Sequence, residues 1–414
     1  MTRSVLSRRV TRFVGVVVAI TIVGVAASAC GDGGSGGRDG AAAPRSRERS
    51  AGASSATAPS VASPRATWSA PTAGGEPMGV TADADGVIAV SYQAVQSIDP
   101  ADGTERWHTG IGRAPEIAPV RAAVDGDLVA VPTSDGVTAL ARSDGHVLWK
   151  AGFGPGLVAA GRTGPTALAR VSGGPPLVLG TNSGTLVAFD RGSGAARWRA
   201  RFDGEIVTAP AVDDATGVAV VLWHVDDGDG HLRVLDLASG AVRWETTTLP
   251  KTAAPVVHDG SVLLSEGDNF SHARVRALDV ATGTTRWETV VPKSFEWETE
   301  PGAAGDDYVT VDHFGTVTDV DIRTGAVRWQ RSGDWALLDT QVVVGAEAVA
   351  FHDFGGHVVV LDRATGAVRS VTRPDGSVLD SALRGDLLVT AVNVLGARRF
   401  EARPLGPSPV PGPR

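Results

Sequence analysis

Residues 321–330 read DIRTGAVRWQ, and close copies recur along the chain: DLASGAVRWE from Asp236, DVATGTTRWE from Asp279 and DRATGAVRSV from Asp362. Aligned on the glycine there are seven copies, at Gly103, Gly145, Gly194, Gly240, Gly283, Gly325 and Gly366, spaced 41 to 49 residues apart. Four residues after the glycine stands Trp107, Trp149, Trp198, Trp244, Trp287 or Trp329, with Ser370 in the last copy. Four residues before it stands an aspartate, except in the second copy, which has Ala141. A β-rich run such as HVVVLD (357–362) ends on the aspartate. Its carboxylate accepts backbone N–H groups in a tight turn, and the glycine takes the positive φ that the turn requires. AVRW then returns as the next strand, and two more apolar runs lie upstream, as in APVVHDGSVLLSEG (254–267). Four strands in ~42 residues is the period of one propeller blade.

The expected fold is all-β: an eight-bladed β-propeller with four antiparallel strands per blade, seven blades being the alternative. Seven hairpins argue for seven blades. Eight follows from ATWSAP around Trp68, which lies 39 residues before Trp107, where a further outer strand falls. After Ser370 come three more strand-like runs without a tryptophan strand. The N-terminal strand near Trp68 then completes the last blade and closes the ring, which removes exposed sheet edges.

The pattern Ala/Val-x-Asp-x-x-Ser/Thr-Gly-x-x-x-Trp resembles the tryptophan-docking motif of quinoprotein-type (PQQ-like) β-propellers over residues 67–404. In that family each tryptophan sits on an outer strand and packs on the neighbouring blade. The six tryptophans and seven glycines are thereby implied to be frame, a flat ring filling the gap between splayed, twisted sheets. The family includes dehydrogenases that hold pyrroloquinoline quinone and Ca²⁺ at the centre, marked by a disulfide of adjacent cysteines, metal-ligating carboxylate and amide groups, and a catalytic aspartate. Cys30 is the single cysteine here, so that disulfide is impossible. The body also lacks long insertions to build an enzyme pocket. No enzyme, cofactor or metal is therefore expected. In repeat, length and anchor the chain is similar to the propeller lipoproteins of the outer-membrane β-barrel assembly machinery.

Arg3, Arg8, Arg9 and Arg12 precede the apolar run FVGVVVAITIVGVAASAC (13–30). This is the layout of a secretory signal peptide over residues 1–29. An uncleaved anchor is the alternative, since the run approaches the roughly 20 apolar residues of a membrane span. AASAC resembles the lipobox of bacterial lipoproteins, with Ala27 where leucine is commonest, and implies acylation of Cys30 and attachment to the extracytoplasmic side of the cell membrane. Residues 30–66 are Gly, Ala, Ser, Pro and Arg, a composition that buries too little to order and reads as a tether. Residues 405–414 are Pro-rich and expected to be disordered. Net charge is −8 overall, yet +4, +2 and +1 fall on residues 1–29, 30–66 and 405–414, leaving −15 on the body. An acidic body repels phosphate and excludes nucleic acid as a partner.

VDHFG (311–315) and FHDFG (351–355) set Asp312 with His313 and His352 with Asp353 at equivalent places in neighbouring blades, a candidate surface site for acid–base or metal chemistry without a third partner. Ordinary polar loops are the alternative reading. VDDGDGH (225–231) offers oxygen ligands but no distal glutamate of a Ca²⁺ loop. Trp297, flanked by Glu296, Glu298 and Glu300, departs from the blade template and is a candidate contact point or a lid. Together these features predict a monomeric, non-catalytic, lipid-anchored extracytoplasmic propeller that serves a membrane or extracytoplasmic protein as docking scaffold. A PQQ-dependent dehydrogenase and a ligand-sensing or substrate-binding lipoprotein are the alternatives, since fold alone does not choose function.

Overall fold

The computed structural model describes residues 65–407 apart from 116–118, 135, 153–166, 170–176, 182–183, 207, 226–228, 269–272, 292–299, 313, 336–339, 354 and 395. Cys30, Trp297, His313 and the signal segment 1–29 lie outside the described residues. Most of the tether and the last seven residues do too.

Regular structure among the described residues is entirely β-strand, in eight antiparallel sheets. In chain order, blades 1 to 7 cover residues 77–110, 123–152, 167–201, 205–248, 251–291, 302–332 and 343–372. Blade 8 joins Ser377–Arg384, Leu387–Asn393 and Arg399–Pro404 to the N-terminal strand Trp68–Pro71. That closing strand pairs Trp68 with Ala402 and Ala70 with Phe400. Strand order follows the chain in blades 1 to 7, whereas in blade 8 the N-terminal strand stands outside Arg399–Pro404. First strands touch across five of the eight blade boundaries, which sets them nearest the ring axis. In blades 4 and 5 the first strand is split in two, Glu205–Ile206 with Ala211–Asp213 and Lys251–Thr252 with Val256–His258. Each gap holds a proline, Pro210 or Pro255, which has no N–H to give the ladder.

Burial follows strand position. Middle strands such as Gly86–Ser91 are buried along their whole length, because blades cover both of their faces. Outer strands such as Glu105–Gly110 expose every residue but a few, and Trp107 is the buried one. Eight buried clusters bridge successive blades and close the circle. Blade 8 meets blade 1 through Trp68, Ala391 and Phe400 against Val80, Val87 and Ile98. Leu405, at the start of the expected tail, is also buried, and its N–H donates to the Asp386 carbonyl (2.9 Å).

Six of the seven repeated hairpins carry a second polar device. In blade 5 Asp279 Oδ1 accepts the Thr282 N–H and hydroxyl, and Oδ2 accepts from Arg286 (2.8 Å), seven residues on. The same aspartate–arginine pair links Asp99 to Arg106, Asp190 to Arg197, Asp236 to Arg243, Asp321 to Arg328 and Asp362 to Arg369. Blade 2 lacks both members, with Ala141 and Leu148 in their places. The arginines, the Ser193, Ser239 and Thr282 hydroxyls and backbone N–H groups hold the carboxyls of Asp190, Asp236 and Asp279 down at about 2. A carboxyl whose folded pKa lies below its unfolded value of about 3.8 binds fewer protons in the folded state, so stability rises with pH through that window. From these three groups, thermal midpoints followed by circular dichroism are expected to fall progressively from about pH 4 towards about pH 2. A flat profile across that interval would contradict this.

Candidate functional site

The repeated tryptophans form one joint at seven of the eight blade boundaries. Trp68, Trp107, Trp149, Trp198, Trp244, Trp287 and Trp329 each donate Nε1–H to a carbonyl in the next blade's hairpin, at 2.7–2.9 Å. The acceptor is always the residue after the hairpin aspartate, or after Ala141 in blade 2. Each indole lies on the hairpin glycine of that blade: Gly103, Gly145, Gly194, Gly240, Gly283, Gly325 and Gly366, in order. A Cβ on any of these glycines would stand 2.4–2.9 Å from the ring. Their φ of 68–77° is also one that side chains disfavour. The boundary between blades 7 and 8 has Ser370 instead, whose hydroxyl donates to the Leu405 carbonyl (3.3 Å). These joints leave each tryptophan committed to a neighbouring blade.

Charged groups converge instead on the ring axis. Arg121 leads into the first strand of blade 2, Glu300 into that of blade 6, and Asp380 lies on the first strand of blade 8. Arg121 donates Nε–H to both Asp380 oxygens (3.0 Å each), a second N–H to Asp380 Oδ1 (2.7 Å) and a third to Glu300 Oε2 (2.5 Å). Blades 2 and 6 stand four steps apart in a ring of eight, so this contact reaches across the centre. Asp380 is fully buried and also accepts the Val80 N–H (2.8 Å). Burial works against the Arg121 cation, but Asp380 and Glu300 outweigh it and hold the guanidinium above its ordinary range. The backbone beside it is tight: a Cβ on Gly79 would stand 2.2 Å from the Val120 carbonyl oxygen. Both carboxylates are thus bound to Arg121, an arrangement that links blades 2, 6 and 8 and leaves none of the three unpaired.

The Asp/His candidates differ from the expected surface site. Asp312, His352 and Asp353 are buried, not exposed. Asp312 Oδ1 accepts the Phe314 and Thr316 N–H groups (2.9 and 2.8 Å), and Asp353 Oδ1 accepts the His357 N–H (2.7 Å). Each carboxylate closes the loop after its blade's second strand, the turn role that Asx residues take from their own backbone. The His352 carbonyl accepts the Thr340 hydroxyl (2.5 Å). No group of three or more His, Cys, Asp or Glu arranged for a metal occurs among the described residues. Sequence reasoning missed Arg121 and Asp380, which are 259 residues apart.

Comparisons with known proteins agree with this architecture. The PQQ_2 family profile, described as outer membrane protein assembly factor BamB, matches residues 60–155, 91–176, 133–296 and 223–397. BamB from Alteromonas naphthalenivorans is 28% identical over 222 residues, which cover 50% of this chain and 53% of that protein. The matched stretches span only 27% and 53% of the curated relatives' lengths. Among solved structures, BamB from Moraxella catarrhalis superposes with a TM-score of 0.58 at 20% identity, covering 78% of this chain and 93% of that one. A quinohemoprotein alcohol dehydrogenase from Pseudomonas putida HK5 gives 0.61 at 12% identity, covering 84% and 78%, and shares the fold. With the family profile matching residues 60–397 in overlapping segments, the chain belongs to the PQQ_2 family of β-propellers.

Proposed function

We propose that this chain is a non-catalytic docking scaffold of the cell envelope, tethered through a lipid on Cys30 to the extracytoplasmic face of a membrane, where it holds a protein partner in an assembly process. One observation carries the reading. The Arg121–Asp380–Glu300 clasp crosses the ring centre, the place where dehydrogenases of the quinoprotein class hold their cofactor, with charges that satisfy one another. Binding capacity then belongs to the faces and the rim of the disc, and loop-bearing faces on a rigid frame are where recognition residues concentrate. The name shared by the family profile and the curated relatives, an outer membrane assembly factor, supports the same role.

The test is capture from membranes of the native host. The tagged full chain, mildly crosslinked, is expected to bring down one envelope protein in constant ratio, and a chain cut after residue 66 is expected to bring down none. Equal recovery with both chains would overturn the scaffold reading, and so would recovery of no protein with either.

A further inference from the structure

Two positions before the hairpin aspartate, the third strand carries Ser97, Ala139, Ala188, Val234, Ala277 and Val360, but Asp319 in blade 6. A small or apolar residue belongs there because it faces the tryptophan strand: Ala277 pairs with Trp287, and Asp319 with Trp329. Asp319 is 1% exposed, and its Oδ1 has no hydrogen-bond partner. It lines a cavity of about 530 Å³ where blades 6 and 7 meet, on the side of the hairpin turns, together with Asp307, Arg328, Glu347, Arg363 and Arg369.

Every cation on that wall already has a carboxylate partner, although Arg369 Nε itself donates to none. Arg328 pairs with Asp307 and Asp321. Arg363 pairs with Asp307 (2.5 Å) and donates to the Gly345 and Ala304 carbonyls. Arg369 pairs with Asp362 (2.7 Å) and, more loosely, with Glu347 (3.8 Å). On the cavity wall three guanidinium groups therefore face four carboxylates, Asp307, Asp319, Glu347 and Asp362, and Asp319 is the one that none of them pairs with. A buried carboxylate without a counter-charge is destabilising. Burial accordingly pushes Asp319 up to about 7, against the lowering effect of Arg363 and with a further rise from Asp321.

We infer that this cavity receives one basic side chain, a lysine or arginine of the docked protein, with its cationic head on Asp319. The volume suits a side chain rather than a bare ion, and three arginines on the wall oppose a divalent metal. The source of the side chain rests on the scaffold reading, but the cation site does not. The site is tested with n-butylammonium and ethylguanidinium chloride as probes and n-butanol as the neutral control, by ligand-observed NMR on the full chain. Both cations are expected to bind at about pH 8 and to weaken about tenfold at about pH 5.5, where Asp319 takes up its proton. Asp319→Asn is expected to weaken them equally. Ala346→Phe narrows the cavity without altering a charge and gives the same loss if Asp319→Asn does not fold. Equal binding of n-butanol, or cation binding unchanged in both variants, overturns the site. In membrane capture, loss of the partner with Asp319→Asn supports the assignment, and full retention overturns it. Failure of the unaltered chain to capture any partner removes the scaffold reading, and the probes then decide the cation site alone.

Discussion

Trp68→Ala is expected to lower the unfolding free energy by about 3–5 kcal/mol, the usual cost of emptying a buried tryptophan site. Trp68 belongs to a closing strand of four residues, Trp68–Pro71, so few other contacts hold that strand in place. The ring is buried against Val80, Val87 and Ile98 of blade 1, and its Nε1–H donates to the Pro100 carbonyl (2.9 Å). Its loss leaves a void at the one boundary where the two ends of the propeller meet, together with an unpaired carbonyl in the next hairpin. Urea denaturation followed by tryptophan fluorescence and circular dichroism measures the effect. Ser370→Ala, at the boundary without an indole, serves as comparison and is expected to cost less than about 1 kcal/mol, one weak hydrogen bond. Equal costs for the two variants would contradict closure through Trp68.

Asp380→Ala carries the second large effect, about 3 kcal/mol, because it takes the fully buried partner away from the half-buried Arg121 cation and from the Val80 N–H. Arg121 loses three of its four hydrogen bonds, and the Val80 N–H loses its acceptor. Glu300 remains, but it is partly exposed and meets Arg121 through a single bond. Arg121→Met combined with Asp380→Ala is expected to recover at least about half of the loss, since removing both charges relieves the desolvation that the single substitution exposes. The same denaturation series reads this directly. A double variant as unstable as the single one would show that the clasp acts through packing and not through charge.

Much of the frame was legible in the sequence because it repeats. Seven glycines in register, with tryptophans four residues on, gave the blades, and the distance from Trp68 to Trp107 matched the same period, so the eighth outer strand was readable too. The hairpin arginines were present in six copies yet silent: their pairing with the aspartate seven residues before spans a register shift between the two hairpin strands, which aligned copies do not reveal. The axis clasp was not readable at all. Arg121, Glu300 and Asp380 sit in non-repeating lead-in segments or replace nothing in the template, and only ring closure brings blades 2, 6 and 8 together. Asp319 is an intermediate case, visible in the aligned copies as a carboxylate in a column of small and apolar residues. Its meaning needed the cavity and the prior engagement of Arg328, Arg363 and Arg369. Asp312 and Asp353 misled in the other direction, because a carboxylate beside a histidine reads as chemistry when its own backbone has already claimed it.

Crosslinking of intact native membranes, followed by mass-spectrometric assignment of the linked peptides, tests the scaffold account most directly. The account predicts links from one envelope protein that cluster on a single face or sector of residues 67–404, at the expense of the tether. Links confined to this chain itself, or partner links scattered evenly over the propeller, would contradict it.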